Sequence, residues 1–231
     1  MSEARAQILE SVRRALGRGA LHGEKMAALE ARLADHPRNL VPKRAQLDRP
    51  GQVRLFIEMA ERAAATVARV SRLAEVPAAV SSFLAGHNLP AALRLAPDPV
   101  LQGLAWSERP LLKVESGAAR PDDKTSLTAA FAGIAETGTL MLLSGPTNPT
   151  TLSLLPENHI AVLSADAIVG PYEDAWDRLR AARPGGMPRT VHFITGPSRS
   201  ADIEQQLQMG AHGPRRLHII LVEGNSAEGK A

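Results

Sequence analysis

Beyond residue 86 the chain is built from short, nearly unbroken apolar runs separated by turn residues and helical stretches, and this rhythm constrains its fold most. The runs are Ala91–Ala96, Leu111–Glu115, Thr139–Leu143, His159–Leu163, Thr190–Thr195 and Leu217–Glu223. Several are continuous rather than alternating, as in strands covered on both faces. A turn-rich loop (Ser144–Thr151), a helical stretch (Pro171–Arg183) and a polar segment opening at Ser198 lie between the last four runs. Strand alternating with helix predicts a layered α/β domain with a mostly parallel sheet. The 231 residues suffice for one such domain with an extension.

The earlier part of the chain reads as helix. From Ala4 to about Asp35, Ile8, Val12, Ala15 and Leu16 recur at helical spacing, and Gly17 and Gly19 split the stretch into two short helices. Pro37, Pro42 and Pro50 mark a loop. A further helix is expected from about Gln52 to Ala74, with Val53, Phe56, Ile57, Ala60, Ala64 and Val67 as its apolar stripe. Pro77 then opens another helix in its first turn. The expected division is a basic helical extension over 1–50 and an α/β domain over 51–231.

Charge and composition narrow the function. The formal net charge is +3, but residues 1–50 hold 10 Lys and Arg against 6 Asp and Glu, whereas the remainder holds 17 against 18. A neutral body in which only 3% of residues are aromatic gives a poor footprint for nucleic acid. With no Cys, the chain has no disulfide, no thiolate zinc site and no Cys-held iron–sulfur cluster. No apolar run approaches the roughly 20 residues of a membrane-spanning helix. The polar start, Met1 to Glu10, does not read as a secretory signal, so a cytoplasmic protein is expected. No metal-ligand spacing, dinucleotide fingerprint, P-loop or Gly-x-Ser-x-Gly elbow occurs, which leaves any cofactor unidentified.

Three segments could carry chemistry. Thr195-Gly196-Pro197-Ser198-Arg199-Ser200-Ala201-Asp202-Ile203-Glu204 reads as a strand end turning into a helix start. Such a turn offers backbone N–H groups to an anion at a sheet's carboxyl edge, and Arg199 could add a bidentate contact. Equally, it is a capped turn with no ligand. Glu136, with Thr137, Gly138 and Thr139 leading into a strand, could act as a general base, an acyl acceptor or merely an acceptor for backbone N–H groups. His212, between Ala211 and Gly213 on a turn, suits acid–base work or local hydrogen bonding. His159, His192 and His218 fall in apolar runs and read as packing or surface residues.

Taken in series, Ala135–Thr139, Ser153-Leu154-Leu155-Pro156 with His159-Ile160, Thr195–Glu204 and Gly210–Pro214 resemble the lactate-utilisation protein C (LutC) family of LUD-domain proteins, over about residues 110–223. The resemblance implies a three-layer α/β sandwich like the NagB/RpiA/CoA-transferase fold. It implies a part in oxidising L-lactate to pyruvate beside partner subunits that carry iron–sulfur clusters. From the residues themselves a small anionic ligand is expected at the sheet edge, with Glu136 and His212 as candidate catalytic residues. Thr137, Gly138, Thr139, Gly196, Pro197, Ser198, Arg199, Ser200, Asp202 and Gly213 are the candidate ligand contacts. Whether the chain itself catalyses stays open. A stand-alone acyl- or CoA-transferase or cyclo-ligase, or a non-catalytic assembly protein, is compatible with the same fold.

Overall fold

The structure is a computed structural model and describes residues 3–17, 19, 21–201, 207–209 and 212–224. The chain separates into two compact units, 1–40 and 41–231. The first holds α1 (Glu3–Ala15) and α2 (Glu24–Asp35). The break between them falls at the glycines expected to make it, and His36 in the left-handed conformation ends α2. No helix of the described residues is long and apolar enough to cross a membrane.

The second unit starts on an irregular segment in which Ala45 is wholly buried. Helix α3 (Arg49–Arg62) follows, its first turn capped by the Asp48 carboxylate, which accepts from the Gly51 N–H at 3.0 Å. The helix expected to reach Ala74 stops twelve residues short of it, and the correction has a local cause. Ala64 takes a positive φ of 66°, and Thr66 and Val67, which follow Ala65, are β-branched. They form β1 (Thr66–Val70) instead, because a partner strand lies ready to pair with it. Helix α4 (Val76–Gly86) then opens with Pro77 in its first turn, as expected.

The remaining elements are β2 (Ala92–Leu95), the short α5 (Pro99–Gln102), β3 (Lys113–Ser116), β4 (Thr125–Ala129), β5 (Ala132–Ile134), β6 (Thr139–Leu143), β7 (Asn158–Ser164) and β8 (Ile168–Val169). Then come α6 (Tyr172–Ala182), β9 (Val191–Ile194), β10 (Arg199–Ala201), β11 (Leu207–Met209) and β12 (Arg216–Val222). Six strands make one sheet in the order β1-β12-β7-β4-β2-β3, with every pair parallel. A second sheet, β8-β5-β6-β9, has β6 antiparallel to both β5 and β9.

Layering follows from which side chains each strand turns to each face. On one face of the large sheet, Val76, Val80, Phe83 and Leu84 of α4 bury Leu127, Ile160 and Ile220. On the other, Phe56 and Ala60 of α3 and Leu140 and Leu142 of β6 bury Ala161, Leu163, Ile219 and Leu221. The small sheet's outer face packs Ile134 and Met141 against Ala175 and Leu179 of α6. Each large side chain so buried contributes about 1.5–3 kcal/mol. The protein is thus an α/β sandwich around a parallel sheet.

The segment after Ser198 is also corrected. It forms an antiparallel hairpin, Arg199 opposite Met209, rather than a helix start. The Ser198 N–H donates to the Pro214 carbonyl at 2.8 Å, so it bridges to the returning chain and does not open a helix. Asp202 lies outside the described residues, and of Ser200 only the backbone is described.

Candidate functional site

The turn between β5 and β6 carries Glu136, Thr137 and Gly138, with Ile134 opposite Thr139 closing it. The Glu136 N–H donates to the Gly170 carbonyl at 3.1 Å. Its carboxylate is 13% exposed and lies 3.8 Å from the Arg44 guanidinium. Gly138 has a φ of 67°, and a Cβ there would collide with the Ala60 backbone nitrogen of α3. Gly196, with a φ of 71°, is held the same way, since a Cβ would strike the Ala63 carbonyl oxygen. Both glycines are thus required by the close approach of the end of α3. Arg199 serves the same helix end, donating from Nη2 to the Ala63 carbonyl at 3.0 Å.

Hydroxyl contacts join the two turns. Thr139 Oγ1 lies 2.6 Å from Thr137 Oγ1, 2.6 Å from Thr195 Oγ1 and 3.0 Å from the Tyr172 hydroxyl. Thr137 Oγ1 is itself 3.0 Å from that hydroxyl. Thr195 then lines a cavity of about 220 Å³ with Ser153, His159, Phe193, Gly196, Pro197, Ser198, His212, Gly213, Pro214 and Leu217 among its walls. This lies below the roughly 300–1,000 Å³ of pockets for drug-sized ligands, so the space suits a molecule of few heavy atoms.

Of the candidate residues, Gly196, Pro197, Ser198, His212 and Gly213 meet at this cavity. Thr139 reaches it through Thr195, whereas Glu136, Thr137, Gly138 and Arg199 do not line it. The cavity follows the carboxyl end of β9 but lies beside the amino ends of β7 and β12, at His159 and Leu217.

Two polar residues that sequence reasoning did not place in the cavity line it. His159 is wholly buried; its Nε2 is 2.8 Å from Thr128 Oγ1, while its Nδ1 has no partner among the described residues. Burial pushes its pKa down to about 4, so the imidazole is neutral at pH 7. Ser153 Oγ donates to the Thr150 carbonyl at 3.0 Å and lies 3.3 Å from His192 Nδ1. The only sequence signal for His159 is a polar residue opening an apolar run. His218, also pushed down to about 4 by burial and the nearby His87 charge, belongs elsewhere: it stacks on Phe83 at 4.3 Å beneath α4.

Residues 122–222 match the family model for the LUD domain. Over 102 residues the chain is 41% identical to an uncharacterized protein of Neisseria meningitidis serogroup B, covering 42% of this chain and 43% of that one. Over 98 residues it is 39% identical to lactate utilization protein C of an Exiguobacterium species, again covering 42% and 43%. The matches therefore span less than half the length of these curated relatives. The crystal structure of a DUF162 family protein from Deinococcus radiodurans shares the fold, with a TM-score of 0.57 at 23% identity over 76% of this chain and 99% of that one. The matched stretch runs from just before β4 to the end of β12 and holds every segment named in the resemblance, so it is over these residues that the chain is similar to LUD-domain proteins, lactate utilization protein C among them.

Proposed function

We propose that this chain serves lactate utilization as a cytoplasmic subunit without iron–sulfur clusters, in a complex that oxidises L-lactate to pyruvate, and that its cavity holds the small carboxylate. The observation that carries the reading is the cavity of about 220 Å³, where Gly196–Ser198 and His212–Gly213 meet the buried His159. Ser198, His212 and the turn backbone are the proposed carboxylate contacts. Oxidation of lactate removes two electrons and two protons. With no Cys on this chain, the electrons pass to cluster-bearing partners. The neutral imidazole of His159, whose Nδ1 has no partner among the described residues, is the proposed hydrogen-bond partner that orients the ligand. The basic segment 1–50 is the proposed partner contact, where rim charge speeds association and makes it salt-sensitive. Similarity to lactate utilization protein C supports the role in lactate utilization, and the size of the cavity supports the ligand.

Co-purification from the native cell, followed by lactate-dependent dye reduction with and without this chain, tests the proposal. Cluster-bearing partners should co-purify, and reduction should fall when the chain is absent. Unchanged reduction without the chain refutes it.

A further inference from the structure

We infer that Thr195 makes the cavity selective for a 2-hydroxy carboxylate over the corresponding 2-oxo carboxylate, because its hydroxyl has only lone pairs left to offer a ligand. The inference rests on the small-carboxylate reading of the cavity given above. It follows from counting protons. A hydroxyl carries one proton and two lone pairs. Thr137, Thr139 and Tyr172 touch one another pairwise, at 2.6, 3.0 and 3.0 Å. Three contacts in a closed triangle consume three protons, and the triangle has no others.

The fourth contact, Thr139 Oγ1 to Thr195 Oγ1 at 2.6 Å, must therefore be donated by Thr195. Thr139 then accepts from Thr195 and from one triangle member and donates to the other, which fills both of its lone pairs and uses its proton. Thr195 lines the cavity with its proton already committed to the interior. A ligand hydroxyl can donate to that oxygen. A ketone oxygen cannot, and it would face lone pairs with lone pairs, leaving both acceptors unsatisfied. Discrimination thus originates in Tyr172 and Thr137, which do not line the cavity, and is delivered by Thr195.

The test is calorimetric titration of the full-length chain with L-lactate and with pyruvate, which carry the same carboxylate. L-lactate should bind about tenfold more tightly, the worth of one neutral hydrogen bond. Tyr172→Phe opens the triangle, leaving three protons for two contacts, so that Thr195 is free to donate. Its lactate-to-pyruvate ratio should fall to within about twofold, mainly through tighter pyruvate binding. Thr137→Val releases a proton in the same way and stands in if the Phe variant does not fold. Thr195→Val should erase the preference by weakening lactate binding. An unchanged ratio in both Tyr172→Phe and Thr137→Val, or equal binding of the two ligands by the parent chain, overturns the inference while leaving the carboxylate site intact. Binding of neither ligand removes the site reading, and the inference with it.

Discussion

Acidification should weaken this fold through two buried imidazoles, and the size of the effect can be worked out. His159 and His218 have pKa values pushed from 6.5 down to about 4, in both cases first by burial. Above about 6.5 each is neutral in the folded and unfolded chain, so nothing is lost there. As the pH falls, the unfolded imidazole binds a proton while the folded one does not, and stability is lost until the pH passes the folded value. At pH 5 the unfolded form is almost fully protonated and the folded form barely so, which is about 2 kcal/mol per residue and about 4 kcal/mol for the pair. The carboxylates of Glu115 and Glu157, held low by their hydrogen bonds to Lys113 and Lys124, act in the same direction only at lower pH, and equally in every variant. Urea unfolding followed by Trp106 and Trp176 fluorescence, at pH 7 and pH 5, measures the fall. The parent should lose about 4 kcal/mol, and His159→Gln and His218→Gln about 2 kcal/mol each. Comparing pH values within one variant cancels whatever the substitution costs in packing. A His159→Gln chain that loses as much as the parent refutes the assignment of a neutral, buried imidazole.

The other expectations concern packing and charge. Gly196→Ala, whose added carbon meets the Ala63 carbonyl at a positive φ, should cost about 3 kcal/mol, whereas Gly145→Ala, with open space around it, should stay within about 0.5 kcal/mol. Equal midpoints in urea would refute the close approach of α3. Asp123→Asn, which removes one of the two carboxylates held by the buried Arg94 and leaves Glu115 at 3.0 Å, should cost about 2 kcal/mol, against less than about 1 kcal/mol for Glu157→Gln in its exposed pair with Lys124. Similar losses in the same unfolding assay would show that Arg94 does not depend on Asp123.

What the sequence shows of the fold depends on which faces of a strand are apolar. Strands β6, β7 and β12 are legible because both of their faces are covered: β7 and β12 lie between α4 and the layer of α3 and the second sheet, and β6 lies between the large sheet and α6, so their residues run nearly unbroken and apolar. Strand β4 escapes notice because the face it turns to the second sheet carries Ser126 and Thr128, which are buried by hydrogen-bonding to Leu152 and His159. Strand β1 escapes because its Val67 fits the helical stripe of α3 equally well, and only pairing with β12 decides the matter. The site divides along the same line. The turn at Gly196–Ser198 and the turn at His212–Gly213 are visible as punctuation, but the contact between Thr139 and Thr195 joins residues 56 apart in the chain, and no local spacing encodes it.

The placement of the cavity has a topological cause. In a single parallel sheet, ligands sit outside the carboxyl ends of the strands. Here the Gly-Pro-Ser turn does leave the carboxyl end of its own strand, β9, but β9 belongs to the second sheet, where it runs antiparallel to β6. That sheet lies across the first, and the end of β9 arrives beside the opening residues of β7 and β12. Among the described residues that follow Ser198, Arg199–Ala201 and Leu207–Met209 pair as strands and supply no helix start, so the walls are strand ends, turns and the short 3-10 turn ending at Ser153. The side-chain polarity offered by those walls is that of hydroxyls and imidazoles: Ser153, His159, Thr195, Ser198 and His212. Such a wall selects by which partner holds the proton in each hydrogen bond, which is why the count of protons among Thr137, Thr139, Tyr172 and Thr195 bears directly on what the cavity accepts.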